Sequence, residues 1–184
     1  MKKVYLVLIA VAMTMSVSAQ KFYTKDAYVA FDANSPLEKI EASTNKGTVV
    51  IDAATGKLES AVLVKGFHFE KATMEEHFNE NYMESGKFPK TVFVGTITNF
   101  NTVNLKKDGS YPIAVKGNLT MHGVTKSVEA KGNVTIKGGN MTNAKAAFKV
   151  SMADFNIAIP SAVKDKIATE AKIDINCALQ SLNK

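Results

Sequence analysis

Period-two alternation of apolar and polar residues constrains this chain most, and it runs over segments long enough to be barrel strands. In residues 111–121, Tyr111, Ile113, Val115, Leu119 and Met121 share one parity, while Lys116, Asn118 and Thr120 share the other. In residues 126–137 the apolar set is Val128, Ala130, Val134 and Ile136. Successive strand side chains point to opposite faces, so this pattern buries one face and wets the other. Turn-forming stretches at 54–57, 107–110, 122–125 and 137–140 separate the segments, the third of them joining two strands as a hairpin. Long strands with short connections make an antiparallel meander. Strand–helix–strand repeats are absent, which argues against a parallel sheet.

The alternation slips at two places. Leu58, Ser60, Val62 and Val64 alternate against Glu59, Ala61, Leu63 and Lys65, but after Gly66 the apolar parity moves to Phe67 and Phe69. In "FKVSMADFNIAIP", Phe148, Val150 and Met152 share one parity, and Phe155, Ile157 and Ile159 share the other. Each slip predicts a β-bulge or bend, with an extra residue near Ala153-Asp154 in the second case. Repeated bulges are how long strands coil around a closed barrel. The expected fold is all-β with one or two short helices: an extended antiparallel β-barrel of about eight strands.

Thr73-Met74-Glu75-Glu76 has the capping-box pattern, and Met74, Phe78 and Tyr82 recur every four residues. Gly86 and Pro89 end the run. The spacing predicts a helix over 73–85 lying across the barrel, as a movable gate or a fixed plug, and a second helical turn is expected around 163–167. The inward-facing set is then Phe67, Phe69, Phe93, Ile113, Val115, Leu119, Phe148, Val150, Phe155 and Ile157, joined by Phe78 and Tyr82 from the helix. An eight-stranded barrel can pack such residues solidly or hold one small ligand, and composition does not choose between the two.

Chemistry-bearing patterns are missing. His68, His77 and His122 stand apart, with no metal-ligand spacing, no nucleophile elbow and no phosphate loop nearby. No catalytic residue, metal site or cofactor is expected. His68 has the solvent parity, and His77 belongs to the helix surface. His122 reads as a turn lock that hydrogen-bonds local backbone or Thr125, beside Gly123, which can take positive φ. The net charge is +6 and every basic residue is lysine, with no arginine. Arginine is the usual reader of guanine edges and phosphate forks, so nucleic acid is not an expected partner. Cys177 is the single cysteine, so no disulfide forms within the chain. It shares a face with Ile173, Ile175 and Leu179, as a buried, inert thiol would.

Residues 1–19 carry a lysine pair, an apolar run and a small-residue site at Val17-Ser18-Ala19. This is the pattern of a cleaved secretory signal peptide rather than an integral membrane span. Residues 20–184 are expected to form a single domain in the periplasm or outside the cell. A homodimer is left open.

Three blocks resemble the YceI family of exported bacterial proteins, the polyisoprenoid-binding proteins. They are "EEHFNENYMESGKFPKTVFVGTI", "DGSYPIAVKGNLTMHGVTKSV" and "FKVSMADFNIAIP", in that order and spacing. The resemblance implies a lipocalin-like barrel whose internal cavity holds an isoprenoid or other long apolar-tailed lipid, such as a quinone, without catalysis. The function expected from it is a carrier or scavenger, with a ligand-free structural or stress-protective module as the alternative. The chain departs from the family at Met152, where many members carry arginine.

Overall fold

The computed structural model describes residues 20–182, so the segment read as a signal peptide lies outside the described residues. The strands are β1 Lys21–Asp32, β2 Glu41–Asp52, β3 Lys57–Leu63, β4 His68–Phe69, β5 Lys90–Ile97, β6 Gly109–Met121, β7 Val124–Lys137, β8 Asn140–Ser151, β9 Glu170–Ala178 and β10 Gln180–Ser181. Eight of them pair antiparallel in the order β1-β2-β3-β5-β6-β7-β8-β9, and β9 returns to β1 to close a barrel. The two shortest lie outside this circuit, β4 on β2 and β10 on β1. Closure leaves every strand of the circuit with a neighbour on each side.

The parity slips have a different structural cause from the one expected. At Val64–Gly66 the chain leaves the sheet in a 3-10 turn, and the following pair, His68–Phe69, joins β2 rather than continuing β3. Likewise β8 ends at Ser151, and Ala153–Phe155 forms a 3-10 turn with Asn156 left-handed at φ 56°. The strands stop; they do not bulge. The bulges lie elsewhere, one between β7 and β8 at Thr135 and Ile136 and the others where β1 and β2 face each other, with register shifts between Thr24 and Ala27 and between Ala27 and Val29. There the buried parity jumps from Phe22 and Thr24 to Ala27 and Val29, and on β2 from Ala42 and Thr44 to Val49 and Ile51. Each jump is stapled by a buried threonine: Asp26 N–H donates to Thr24 Oγ1 at 3.2 Å, and Lys46 N–H to Thr44 Oγ1 at 3.1 Å.

The connections divide by end. At one end, β2 to β3, β7 to β8 and β5 to β6 are joined by short turns and by one loop, 98–108, whose Phe100, Val103 and Leu105 tuck under the barrel. At the other end lie the longer crossings: residues 33–40, 64–89 and 152–169. The expected helix is here, in two parts. Ala72–His77 (α1) is α-helical, and Phe78–Tyr82 continues it as one π-helical turn. The capping box does not form. The cap lies two residues earlier than the motif placed it, at Lys71 rather than Thr73, and without a side-chain hydrogen bond. Glu75, not Glu76, reaches back, its Oε2 accepting from Phe69 N–H at 3.2 Å. The second helical turn is a 3-10 turn at Ser161–Val163, slightly ahead of its expected place.

Candidate binding cavity

The barrel is filled at one end and hollow at the other. Phe22, Ile97, Val134, Ile136, Met141 and Leu179 are fully or nearly fully buried and form a solid floor. Above them runs a cavity of about 560 Å³, within the usual size range of small-molecule sites. Its wall emerges among Glu38, Lys71, Thr73, His77, Val163 and Lys166, so the mouth lies between the 33–40 loop, the helix and the 161–167 turn.

Hollowness has a residue-level cause. Around mid-height the inward positions carry small side chains: Ala27 on β1, Gly47 on β2, Gly95 on β5, Gly117 on β6, Ala130 on β7, and Ala144 and Ala146 on β8. Gly95 and Gly117 pair directly. A Cβ on Gly117 would stand 2.5 Å from Gly95 Cα and 2.6 Å from Phe93 Cζ, so the Phe93 ring lies against this bare patch. Gly47 meets Ala27 almost as closely, its Cβ position 2.9 Å from Ala27 O. At these glycines the neighbouring backbone and the Phe93 ring occupy the space a side chain would take, and the short alanines Ala27, Ala130, Ala144 and Ala146 keep the wall itself thin.

Of the residues singled out from sequence, Phe67, Phe69, Phe78, Tyr82, Phe93, Ile113, Val115, Leu119, Phe148, Val150 and Ile157 all line this cavity. Phe155 does not. It is 1% exposed and packs with Val64, Met83 and Leu119 in the core beside the cavity. The turn at Ala153–Phe155 carries its ring behind the wall rather than through it. Met152 lies on the wall. Sequence reasoning missed the contribution of β1 and β2, where Val29, Phe31, Val49 and Ile51 are wall residues. The signal for them was the alternation "YVAF" and "TVVID", interrupted in each strand by the threonine-stapled shift.

Phe31 is the hub of an aromatic cluster at the mouth. Its ring stacks on Phe78 at 5.3 Å and meets Phe67 at 5.5 Å and Phe69 at 5.6 Å. The helix is thus held over the opening by ring contacts, with no strand pairing. Polar groups gather at the rim, and along the strands Ser60 and Lys145 also border the cavity. Lys71 Nζ donates to Glu38 Oε1 at 3.0 Å. That hydrogen bond holds the Glu38 carboxyl below its ordinary range, its charge adds to the effect, and Lys166 contributes a little more.

The histidines fall in unlike settings. His68 is exposed, beside Glu75, and His77 stands at the rim. His122 is no local turn lock. Met121 pairs with Val124, so the hairpin loop is the two residues His122-Gly123, both left-handed at φ 50° and 74°. The His122 ring spans to two other segments: Nδ1 is 3.0 Å from Phe155 O and Nε2 is 2.8 Å from Glu84 Oε2, with the Phe88 ring edge-on at 4.8 Å. Thr120 and Thr125 instead bond each other at 2.8 Å. Among the described residues no group of three or more potential metal ligands comes together, and no helix is long and apolar enough to cross a membrane. Cys177 is buried on the cavity wall, and burial pushes its thiol up to about 11.

A closed antiparallel barrel with a blind apolar cavity defines a barrel of the ligand-enclosing kind. The chain belongs to the YceI-like domain family, whose model matches residues 13–179. Its fold is similar to that of a polyisoprenoid-binding domain from Saccharophagus degradans implicated in plant cell wall breakdown, with a TM-score of 0.73 at 11% identity over 89% of this chain and 99% of that one. It is also similar to BcnA of Burkholderia cenocepacia, with a TM-score of 0.64 at 16% identity over 83% and 94% of the two chains. A YceI protein of Campylobacter jejuni aligns with a TM-score of 0.54 at 16% identity over 78% and 85%. No match is found among curated proteins.

Proposed function

We propose that this protein is an exported carrier or scavenger of a lipid with an isoprenoid-type tail, of the polyprenyl or quinone class. The observation that carries the reading is the cavity: apolar, blind at the floor and open at a rim where the charged groups gather. An amphiphile fits that polarity, tail inward and head at the rim. Kinship with a domain described as polyisoprenoid-binding supports the choice of tail. Each buried methylene gains about 0.8 kcal/mol relative to water, so binding needs no chemistry and no charged anchor deep in the site. Residues 1–19, with their signal-peptide pattern, support export to the periplasm or beyond.

The test is native mass spectrometry of protein purified from its own host, followed by lipid extraction. The expected result is an added mass matching a prenyl-tailed lipid. A bare-protein mass under gentle conditions, with no uptake of a polyprenol added in excess, would favour a structural module instead.

A further inference from the structure

The barrel circuit is closed, but not along its whole height. We propose that the cavity has a lateral portal between β7 and β8, barred by residues 152–157 and latched by His122; this rests on the lipid-binding reading above.

The register leaves the opening. β7 and β8 pair from Lys137↔Asn140 to Lys131↔Ala147 and no further. Beyond that point β7 runs from Ala130 back to Val124 paired with β6 alone, and β8 runs from Phe148 to Ser151 paired with β9 alone. The two-residue hairpin makes Met121 and Val124 a hydrogen-bonded pair, and alternation repeats this at Lys126, Val128 and Ala130. The N–H and C=O groups of Thr125, Ser127 and Glu129 therefore point away from β6, toward the missing stretch of β8. Among the described residues no backbone group takes them up.

Cavity residues flank the split: Val128 and Ala130 on one side, Phe148 and Val150 on the other. Lys126 shares the inner face with its partner Leu119 and is nevertheless exposed. A charged side chain at inward parity stays hydrated only where the wall is open. Lysine is also a usual guard of a free edge.

One segment crosses the open end. After β8 the chain runs through the Ala153–Phe155 turn to the β6–β7 hairpin, and Phe155 and Ile157 are buried in the cluster that includes Val124 and Val128. This bar is bonded within itself: the Met152 carbonyl accepts from Phe155 N–H at 3.1 Å and from Ile157 N–H at 3.0 Å. Its tie to the far side is the His122 ring, whose Nδ1 stands 3.0 Å from Phe155 O. Among the described residues no second hydrogen bond joins the bar to the hairpin. A segment held by one polar contact opens more readily than paired strands part. The slit then admits a tail side-on while its head stays in water.

The experiment has two arms, both on the full chain. In the first, site-resolved amide exchange without ligand should be at least tenfold faster at Thr125, Ser127 and Glu129 than at Lys126 and Val128. Uniform protection from 124 to 130 would mean that the edge is covered, and would overturn the portal. The second arm follows a fluorescent polyprenyl probe in two variants. His122→Asn keeps a residue that tolerates left-handed backbone but releases Phe155; Glu84→Ala frees the helix exit and leaves the Phe155 contact. His122→Asn should speed uptake and release together, at least fivefold, with Kd changed less than threefold, because His122 does not line the cavity. Glu84→Ala should change release less than twofold. Equal acceleration in both variants would put the route over the helix and overturn the portal, as would unchanged rates in His122→Asn. A probe that never binds would overturn the lipid-binding reading, and the portal with it.

Discussion

His122 Nε2 lies 2.8 Å from Glu84 Oε2, and both residues hold left-handed backbone, at φ 50° and 44°. Two non-glycine residues in that region are uncommon, and here each one's contact steadies the other's turn. Glu84 ends the helical segment, and its carbonyl accepts from the N–H groups of Lys87 and Phe88. His122 turns the β6–β7 hairpin. The pair therefore ties the helix exit to the barrel wall, and the Phe155 carbonyl ties the same ring to the turn after β8.

Replacing Glu84 separates the side-chain contact from the backbone. Glu84→Ala loses the contact and keeps an unfavourable φ, so it should cost about 2 kcal/mol, the low end for a charged hydrogen bond because Glu84 is half exposed. Glu84→Gly loses the same contact but relieves the left-handed strain, which is worth about 1 kcal/mol. Urea unfolding should rank alanine as the more damaging change. Equal losses would mean that φ carries no cost here.

Gly117→Ala should be destabilising by about 2–3 kcal/mol, a fall of roughly 5–10 °C in Tm for a chain of this size. The new Cβ would meet backbone at 2.5 Å, at Gly95 Cα and Val94 O, as well as the Phe93 ring. A ring can swing away; paired backbone cannot do so cheaply. Combining the change with Phe93→Ala should therefore fail to rescue it, and a rescue would show that the ring alone was the obstacle.

What the sequence made legible follows from its period. Ile113, Val115 and Leu119 could be aimed inward because β6 runs without interruption from Gly109 to Met121. The hollow was harder to see, since Gly95, Gly117, Ala144 and Ala146 sit at inward parity but score weakly as apolar residues. A space is marked by what is missing from the pattern. The capping box at Thr73 misled because the helix already begins at Ala72, which leaves Thr73 inside it, and the carboxylate that reaches back is Glu75, accepting from Phe69 N–H. His122 misled because its partners, Glu84 and Phe155, lie 38 and 33 residues away, where local spacing does not reach.

Cys177 gives the protein an alkaline liability. Its thiol is neutral in the fold up to about pH 11, against an ordinary value of 9.0. Between those values the unfolded chain ionises and the folded chain does not. Stability from this residue is intact below pH 9 and lost as pH rises to 11, by up to about 3 kcal/mol. Lysines titrate in the same range, so the comparison is with Cys177→Ala. The stability gap between wild type and variant should shift against wild type across that window; a gap that stays constant would show that the thiol ionises in place without penalty.

The helix over the mouth is held lightly enough to move. It has no strand partner, its N-terminus lacks a side-chain cap, and none of its residues from Ala72 to Tyr82 is fully buried. Apart from the Phe69 N–H to Glu75 hydrogen bond and the Glu84–His122 contact at its exit, what holds it is Phe78, whose ring lies 5.1 Å from Phe69, 5.3 Å from Phe31 and 5.8 Å from Phe67. Aromatic pairs add about 0.5–1.5 kcal/mol each beyond their area, and a segment of that modest stability opens far more often than barrel strands part. Phe78→Ala should therefore cost less than the 3–5 kcal/mol of a core phenylalanine truncation, yet speed release of a bound fluorescent polyprenyl analogue at least tenfold. Stopped-flow dilution measures the release and urea unfolding the stability. A fixed plug gives the opposite pair of results, a large stability loss with unchanged release, and that outcome would end the case for a gate.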